Sequence, residues 1–367
     1  MRYGLSYKGS KNSIAEWVCA NVPTARHFYD LFCGGCAVTH RMLIENRFET
    51  YRINDIEPLI VQLFAKTVRG EYRNERRWIS RDDFFSLKDK EGFVKYCWSF
   101  GNNGRDYIYG KPIEPYKKAC HYAIVFDDWK LLEKLCPEVA DVAKEALNGL
   151  TDLHDRRIAF GPAIVKELKR LGDWQIVEGN PLYKSAHWRG GKLDGKSNGL
   201  QSLERLGRLE RLQSLERLER LGRLESLERL ESLERLGRLE SLEASSMSYD
   251  NVKIEDDSVI YCDIPYYGTN GYDGTSKLST FDYKKFYEWC DEQKELVIVS
   301  EYSMPEGFTC VAERVKMVTM GAKVPNKVVE RLYVPKRQLG MYREMMEKSY
   351  KQLELFREHE EEYEKVC

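Results

Sequence analysis

Short apolar runs alternate with longer amphipathic ones at both ends of the chain, and this alternation sets the reading of its fold. Residues 27–32 (His27-Phe28-Tyr29-Asp30-Leu31-Phe32) form an apolar run of strand length. It passes directly into Cys33-Gly34-Gly35-Cys36 and then an apolar helical pattern over 37–46. A second strand-like run, 51–55, closes on Asp55, and Pro58 suits the first turn of a following helix. Towards the other end, 258–263 reads as a strand closing on Asp263, 281–293 as a helix and 296–300 as another buried strand. Residues 311–319 and 328–334 read as a closing antiparallel pair, and 339–366 as a charged helix with Met, Tyr and Leu at core-like spacing. Strands alternating with helices predict an α/β fold built on a largely parallel sheet.

Between these ends the pattern changes. From 71 to 199, Arg73, Arg76, Arg77 and Arg81 interleave with Tyr72, Trp78, Phe84 and Phe85. A glycine- and asparagine-rich loop follows over 98–111, then helical spacing over 116–147 and 163–171. Residues 187–192 form a basic loop containing Trp188 and Arg189. Cations set among aromatics suit contacts to phosphates and unstacked bases, which makes Arg105, Lys111, Trp188 and Arg189 candidate nucleic-acid contacts. An ordinary turn-rich insertion has the same composition. From Leu200 to Leu242 leucine then recurs at every third position, with glycines at 207, 222 and 237 imposing a longer period. A three-residue step slips by about 60° on a straight helix, so these leucines wind around it rather than form a stripe. Pairs such as Glu204/Arg208 and Glu216/Arg220 favour helix and the glycines oppose it. We read the tract as helix; a solenoid-like stack is the alternative.

Composition narrows the picture. Lys+Arg 58 against Asp+Glu 59 gives no global basic field, so any nucleic-acid surface must be local. The 10 cysteines show no disulfide framework and read as reduced thiols. Cys33 and Cys36 have metal-site spacing, but no matching second pair follows, and no metal is expected. The opening residues have no apolar signal region and no run is long enough to span a membrane, so a cytoplasmic protein without membrane association is expected.

The sharpest chemical signal is Asp263-Ile264-Pro265-Tyr266 at the end of its strand. A carboxylate can accept one hydrogen of an exocyclic amine, a neighbouring main-chain carbonyl the other, and a tyrosine ring can stack on the heterocycle. Strand, glycine turn and helix after Asp30 form a layout in which backbone approaches a ligand closely. Asp55 follows at about the spacing at which nucleotide-binding α/β folds place an acid on ribose hydroxyls. Tyr7-Lys8-Gly9-Ser10-Lys11, ahead of a helical pattern, could hold an anionic or zwitterionic ligand or be a solvated turn.

In this order the motifs resemble those of the Dam-type, α-group (D12 family) DNA N6-adenine methyltransferases. Asp263-Ile264-Pro265-Tyr266 is similar to that family's D-P-P-Y motif, with Ile264 in place of a proline. Asp30-Leu31-Phe32-Cys33-Gly34 is similar to its D-x-F-x-G cofactor loop, with Cys36 where a further glycine is usual. The resemblance implies a Rossmann-like methyltransferase sheet binding S-adenosylmethionine, with an inserted, mainly helical target-recognition region and the leucine repeat as a further insertion. It implies a catalytic domain over 1–70 and 245–367, target recognition over 71–199 and the repeat over 200–243. Tyr7, Lys11, Asp30, Phe32, Gly34, Asp55 and Asp263 would hold the cofactor, and Asp263, Ile264, Pro265 and Tyr266 would act on an adenine flipped from double-stranded DNA. Cytosine N4, an RNA adenine, or a catalytically inactive DNA-binding module on the same fold are the alternatives. A nicotinamide oxidoreductase is disfavoured because the turn lacks G-x-G-x-x-G. Self-association through the repeat or the C-terminal helix is a further expectation.

Overall fold

The computed structural model describes residues 3–170, 241–266, 281–318 and 326–364, apart from Ser6, Lys8 and Arg73. Trp188, Arg189 and the leucine tract up to residue 240 lie outside these residues.

In chain order the helices before the leucine tract are α1 (Ala15–Ala20), α2 (Ala37–Glu45), α3 (Pro58–Val68), α4 (Arg81–Leu87), α5 (Gly92–Cys97), α6 (Glu114–Phe126), α7 (Lys130–Leu135), α8 (Pro137–Leu147) and α9 (Leu153–Arg170). After it come α10 (Tyr283–Glu292) and α11 (Leu339–Glu364). The strands are β1 (His27–Asp30), β2 (Thr50–Asn54), β3 (Leu242–Ser245), β4 (Ser258–Cys262), β5 (Leu296–Glu301), β6 (Phe308–Val318) and β7 (Asn326–Pro335). They form one seven-stranded sheet in the order β3-β2-β1-β4-β5-β7-β6. The first five run parallel, and β7 runs antiparallel to both β5 and β6. This mixed sheet is consistent with a methyltransferase fold.

Both faces of the parallel part are covered, which is why its strands read as unbroken apolar runs. Phe28, Tyr51, Val259 and Ile298 point into the core shared with α1, α2 and α3, while Tyr29, Ile260, Val297 and Val299 point to the α10 side. The helices α6, α7, α8 and α9 close around a separate core that includes Ala119, Leu132, Val139 and Phe160. The helical run expected over 116–147 is three helices: Asp127 is left-handed (φ 56) and ends α6, and Pro137 opens α8. The short α4 begins at a capping box made by Ser80 and Asp83.

Strand β3 is the main departure from the sequence reading. The last leucine of the repeat, Leu242, is buried and opens a strand that pairs with β2 in register Tyr51↔Leu242. The sheet therefore begins within the stretch assigned to the repeat.

Strand order reverses between β1 and β4, whose ends are tied by Leu31 N–H donating to the Tyr261 carbonyl at 3.1 Å. The crevice at the carboxyl ends of strands on either side of such a switch is where open α/β sheets bind ligands. Across the β1 exit lies the N-terminal segment. Leu5 N–H donates to the Gly35 carbonyl at 2.7 Å, and a Cβ on Gly35 would stand 2.7 Å from the Leu5 carbonyl and 2.9 Å from Tyr7 Cβ. Gly35→Ala should thus lower the unfolding free energy by about 2 kcal/mol, measured by denaturant titration, because backbone cannot yield as a flexible side chain can.

Candidate functional site

Four parallel strands run out on an acid at the same edge of the sheet. Asp30 closes β1, Asp55 follows β2 directly, Asp263 follows β4 directly, and Glu301 closes β5. Parallel strands share a direction, so their carboxyl ends and these acids fall on one side.

Asp30 is 2% exposed; its Oδ2 accepts from the Thr39 hydroxyl at 2.6 Å, and its Oδ1 carries no hydrogen bond among the described residues. Burial first, then the neighbouring Asp263 and Asp55 carboxylates, push the Asp30 carboxyl up to about 7, against the lowering effect of Thr39. Asp55 is not simply presented to solvent. Its Oδ2 accepts from Gly34 N–H at 2.8 Å and its Oδ1 from Glu57 N–H at 3.0 Å, so it braces the glycine turn against the start of α3. Burial raises its carboxyl as well.

Lys11 is the counter-charge. Its ammonium, on a side chain buried to 8% exposure, lies 2.8 Å from Asp263 Oδ1 and 4.3 Å from the centre of the Tyr266 ring. It therefore contacts both groups expected to grip a base. The Tyr266 hydroxyl donates to Glu330 Oε2 at 2.7 Å and meets Ser300 Oγ at 2.9 Å, and Tyr302 stands edge-on to the ring at 4.4 Å. Burial, Asp263 and Glu330 push the Tyr266 phenol far up, so it stays protonated. The Pro265 carbonyl accepts from the Tyr283 hydroxyl at 2.7 Å, which fixes the peptide next to the Ile264 carbonyl.

Tyr7 packs beside the turn. A Cβ on Gly34, whose φ is 45°, would approach its ring to 3.1 Å, and Tyr96 of α5 meets the same ring edge-on at 5.4 Å. The N-terminal segment is also held from behind, where Gly4 N–H donates to His40 Nδ1 at 2.7 Å.

The crevice thus brings together Tyr7, Lys11, Asp30, Gly34, Asp55, Asp263 and Tyr266. Phe32 goes elsewhere: its ring packs against Tyr249, Phe281 and Phe286 on the α10 side. Arg105 and Lys111 are exposed on the loop after α5, while Trp188 and Arg189 lie outside the described residues. Sequence reasoning missed Ile56, an apolar side chain next to Asp55 with 75% of its surface exposed. It also missed Tyr283 and the Glu330–Ser300 pair. The available signal for Glu330 was an acid, with Arg331 beside it, breaking the strand-like run Val328-Val329-Glu330-Arg331-Leu332-Tyr333-Val334. Among the described residues no cluster of side chains could hold a metal ion, and no helix is long and apolar enough to cross a membrane.

His40 is 1% exposed, and burial pulls its imidazole down to about 4 from 6.5. Its folded value lies below the unfolded one, so protonation favours the unfolded chain. The stabilisation is complete above about pH 6.5 and is lost as pH falls towards 4, by on the order of 3 kcal/mol. Denaturant unfolding at pH 7.5 and pH 5 should show this loss in the wild type and a flatter dependence in His40→Gln.

Residues 7–102 match the family described as D12 class N6 adenine-specific DNA methyltransferase. A search of curated proteins found no match to the chain.

Proposed function

We propose that the chain is an adenine-specific DNA methyltransferase of the D12 class, the family that residues 7–102 match, and that it transfers the methyl group of S-adenosylmethionine to N6 of an adenine flipped out of double-stranded DNA inside the cell. The observation that carries this reading is the adjacency of two strand exits. The glycine turn after β1 and Asp263-Ile264-Pro265-Tyr266 after β4 flank one crevice at the switch in strand order.

The residues present fit a cationic donor. An acid cluster with an unbonded buried oxygen on Asp30 suits positive charge, and exposed Ile56 suits a flat apolar ring. S-adenosylmethionine, when bound, supplies an electrophilic methyl group on a sulfonium. Tyr7, Lys11, Asp30, Gly34, Asp55, Ile56 and Asp263 would hold it.

The remaining work is done on the base. The adenine amine is a poor nucleophile because its lone pair is delocalised into the ring. Asp263 and the Ile264 carbonyl, each accepting one N–H, favour a pyramidal nitrogen with its lone pair free. The Tyr283 hydroxyl, by occupying the Pro265 carbonyl, supports the orientation of the Ile264 carbonyl next to it. Extruding the base costs a few kcal/mol, and stacking on Tyr266 recovers about 1–3 kcal/mol. Base entry displaces the Lys11 ammonium from the Tyr266 face, since both need the same place beside Asp263. Losing that cation from Asp263 leaves the carboxylate charge to stabilise the positive charge that develops on the amine. Arg105 and Lys111 are the described candidates for phosphate contacts, within a target-recognition region formed by residues 71–199.

Asp263→Asn tests the assignment. Wild-type protein incubated with duplex DNA and S-adenosylmethionine should produce N6-methyladenine, and the variant should lose at least about 100-fold in rate. Unchanged methylation by the variant would remove Asp263 from the chemistry. Asp30 supplies the second test. A cation beside it favours its ionised form, so cofactor affinity measured by calorimetry should rise by about tenfold from pH 6 to pH 8 as Asp30 ionises near 7. A flat profile would separate Asp30 from the cofactor.

A further inference from the structure

A stacking ring serves as a platform only if its plane is fixed before the base arrives. Tyr266 lies beyond the end of β4, past a proline, in a segment that leaves the sheet. Backbone pairing therefore does not fix its ring. The side chain's own contacts do, and they reach across β5 to β7. The hydroxyl is gripped at its far end by Glu330 Oε2 (2.7 Å) and Ser300 Oγ (2.9 Å), and Tyr302 blocks one edge at 4.4 Å. Glu330 is 2% exposed and Ser300 fully buried, each on a strand whose register is set by sheet pairing, so neither anchor moves freely. An acid buried on an inner strand carries a desolvation penalty that packing alone would not select.

We propose that Glu330 is a positioning residue for the base: with Ser300 it holds the Tyr266 hydroxyl, so that the ring stands as a preset platform for the extruded adenine. This rests on the reading of Asp263-Ile264-Pro265-Tyr266 as the base-binding segment. The phenol stays protonated and donates to Glu330 Oε2, so the hydroxyl points at the clamp and not at the base. The consequence is specific. Loosening the clamp should weaken capture of the flipped base and leave cofactor binding alone, because Glu330 acts on the ring and not on the glycine turn.

The experiment uses the full chain, an unmodified duplex carrying a site at which wild type is found to methylate for turnover, and the same duplex with 2-aminopurine at the target position for fluorescence. In Glu330→Ala the KM for DNA should rise about tenfold, and the 2-aminopurine signal on binding should change, since an unstacked base is brighter than one held on a ring. Cofactor affinity by calorimetry should match wild type. Glu330→Gln, which keeps an acceptor for the hydroxyl, should stay within about threefold of wild type. Tyr266→Phe should raise KM like Glu330→Ala, and combining the two should add little, because both break one contact.

Independent, additive effects of the two substitutions, or a parallel loss of cofactor affinity, would overturn the proposal and make Glu330 a structural residue. So would Glu330→Gln behaving as badly as Glu330→Ala. If Asp263→Asn abolishes methylation while Glu330→Ala leaves KM and fluorescence unchanged, this inference fails and the functional reading stands. If Asp263→Asn itself methylates normally, the functional reading fails instead.

Discussion

Too much negative charge at one edge of the sheet is the constraint around which this structure is arranged. Asp30, Asp55, Asp263 and Glu301 stand at the exits of four neighbouring parallel strands. Burial above all, and the Asp263 and Asp55 carboxylates after it, hold the proton on the Asp30 carboxyl up to about pH 7. One buried ammonium, that of Lys11, faces this group and pairs with Asp263. Any ligand that settles here must bring positive charge or displace it. Under the proposed function, the same acids would repel DNA phosphates, so the duplex would be held by surfaces outside the crevice and only an uncharged base admitted to it.

The N-terminal segment and the glycine turn form one unit. Gly4, with φ 67°, sits so close to the turn that a Cβ would be 2.3 Å from the Gly35 carbonyl. The glycines usually credited to a ligand are thus required first by the protein's own chain, which delivers Tyr7 and Lys11 to the crevice. Helix α5 enters from the other side through Tyr96, and Lys95 pairs with Glu57 at 2.7 Å. The loop bearing Arg105 and Lys111 follows this helix directly, so residues 98–111 are joined to the crevice by packing as well as by sequence.

The α/β pattern was legible because its strands are short apolar runs closing on acids or serine, and their order placed Asp30 and Asp263 on neighbouring exits. What stayed hidden has definite causes. Strand β3 was masked because Leu242 continues a three-residue repeat whose periodicity carries no strand signal. Helices α4 and α5 are too short for a 3.6-residue pattern to declare itself, although Ser80 and Asp83 spell a capping box. Phe32 looked like a ligand contact from its place in a motif, but past the end of β1 at Asp30 its ring packs against Tyr249, Phe281 and Phe286 on the α10 side. Contacts such as Tyr266 to Glu330 join residues far apart in sequence, and nothing local encodes them.

The two positions at which the chain departs from the motifs it resembles are silent for structural reasons. Ile264 is 2% exposed, with its side chain in the core beside Ile260, Cys262 and Phe286. A proline there would present the same carbonyl, because the side chain faces away from the crevice and the following Pro265 already disfavours helical geometry at 264. Cys36 keeps the backbone a glycine would adopt, with φ 55 and ψ 35, at a cost of about 1 kcal/mol. Its N–H still closes the turn onto the Cys33 carbonyl at 2.6 Å, and its fully buried side chain offsets part of that strain by filling the space under α2. Because both substitutions preserve backbone shape and change only what lies behind it, neither removes a group from the crevice.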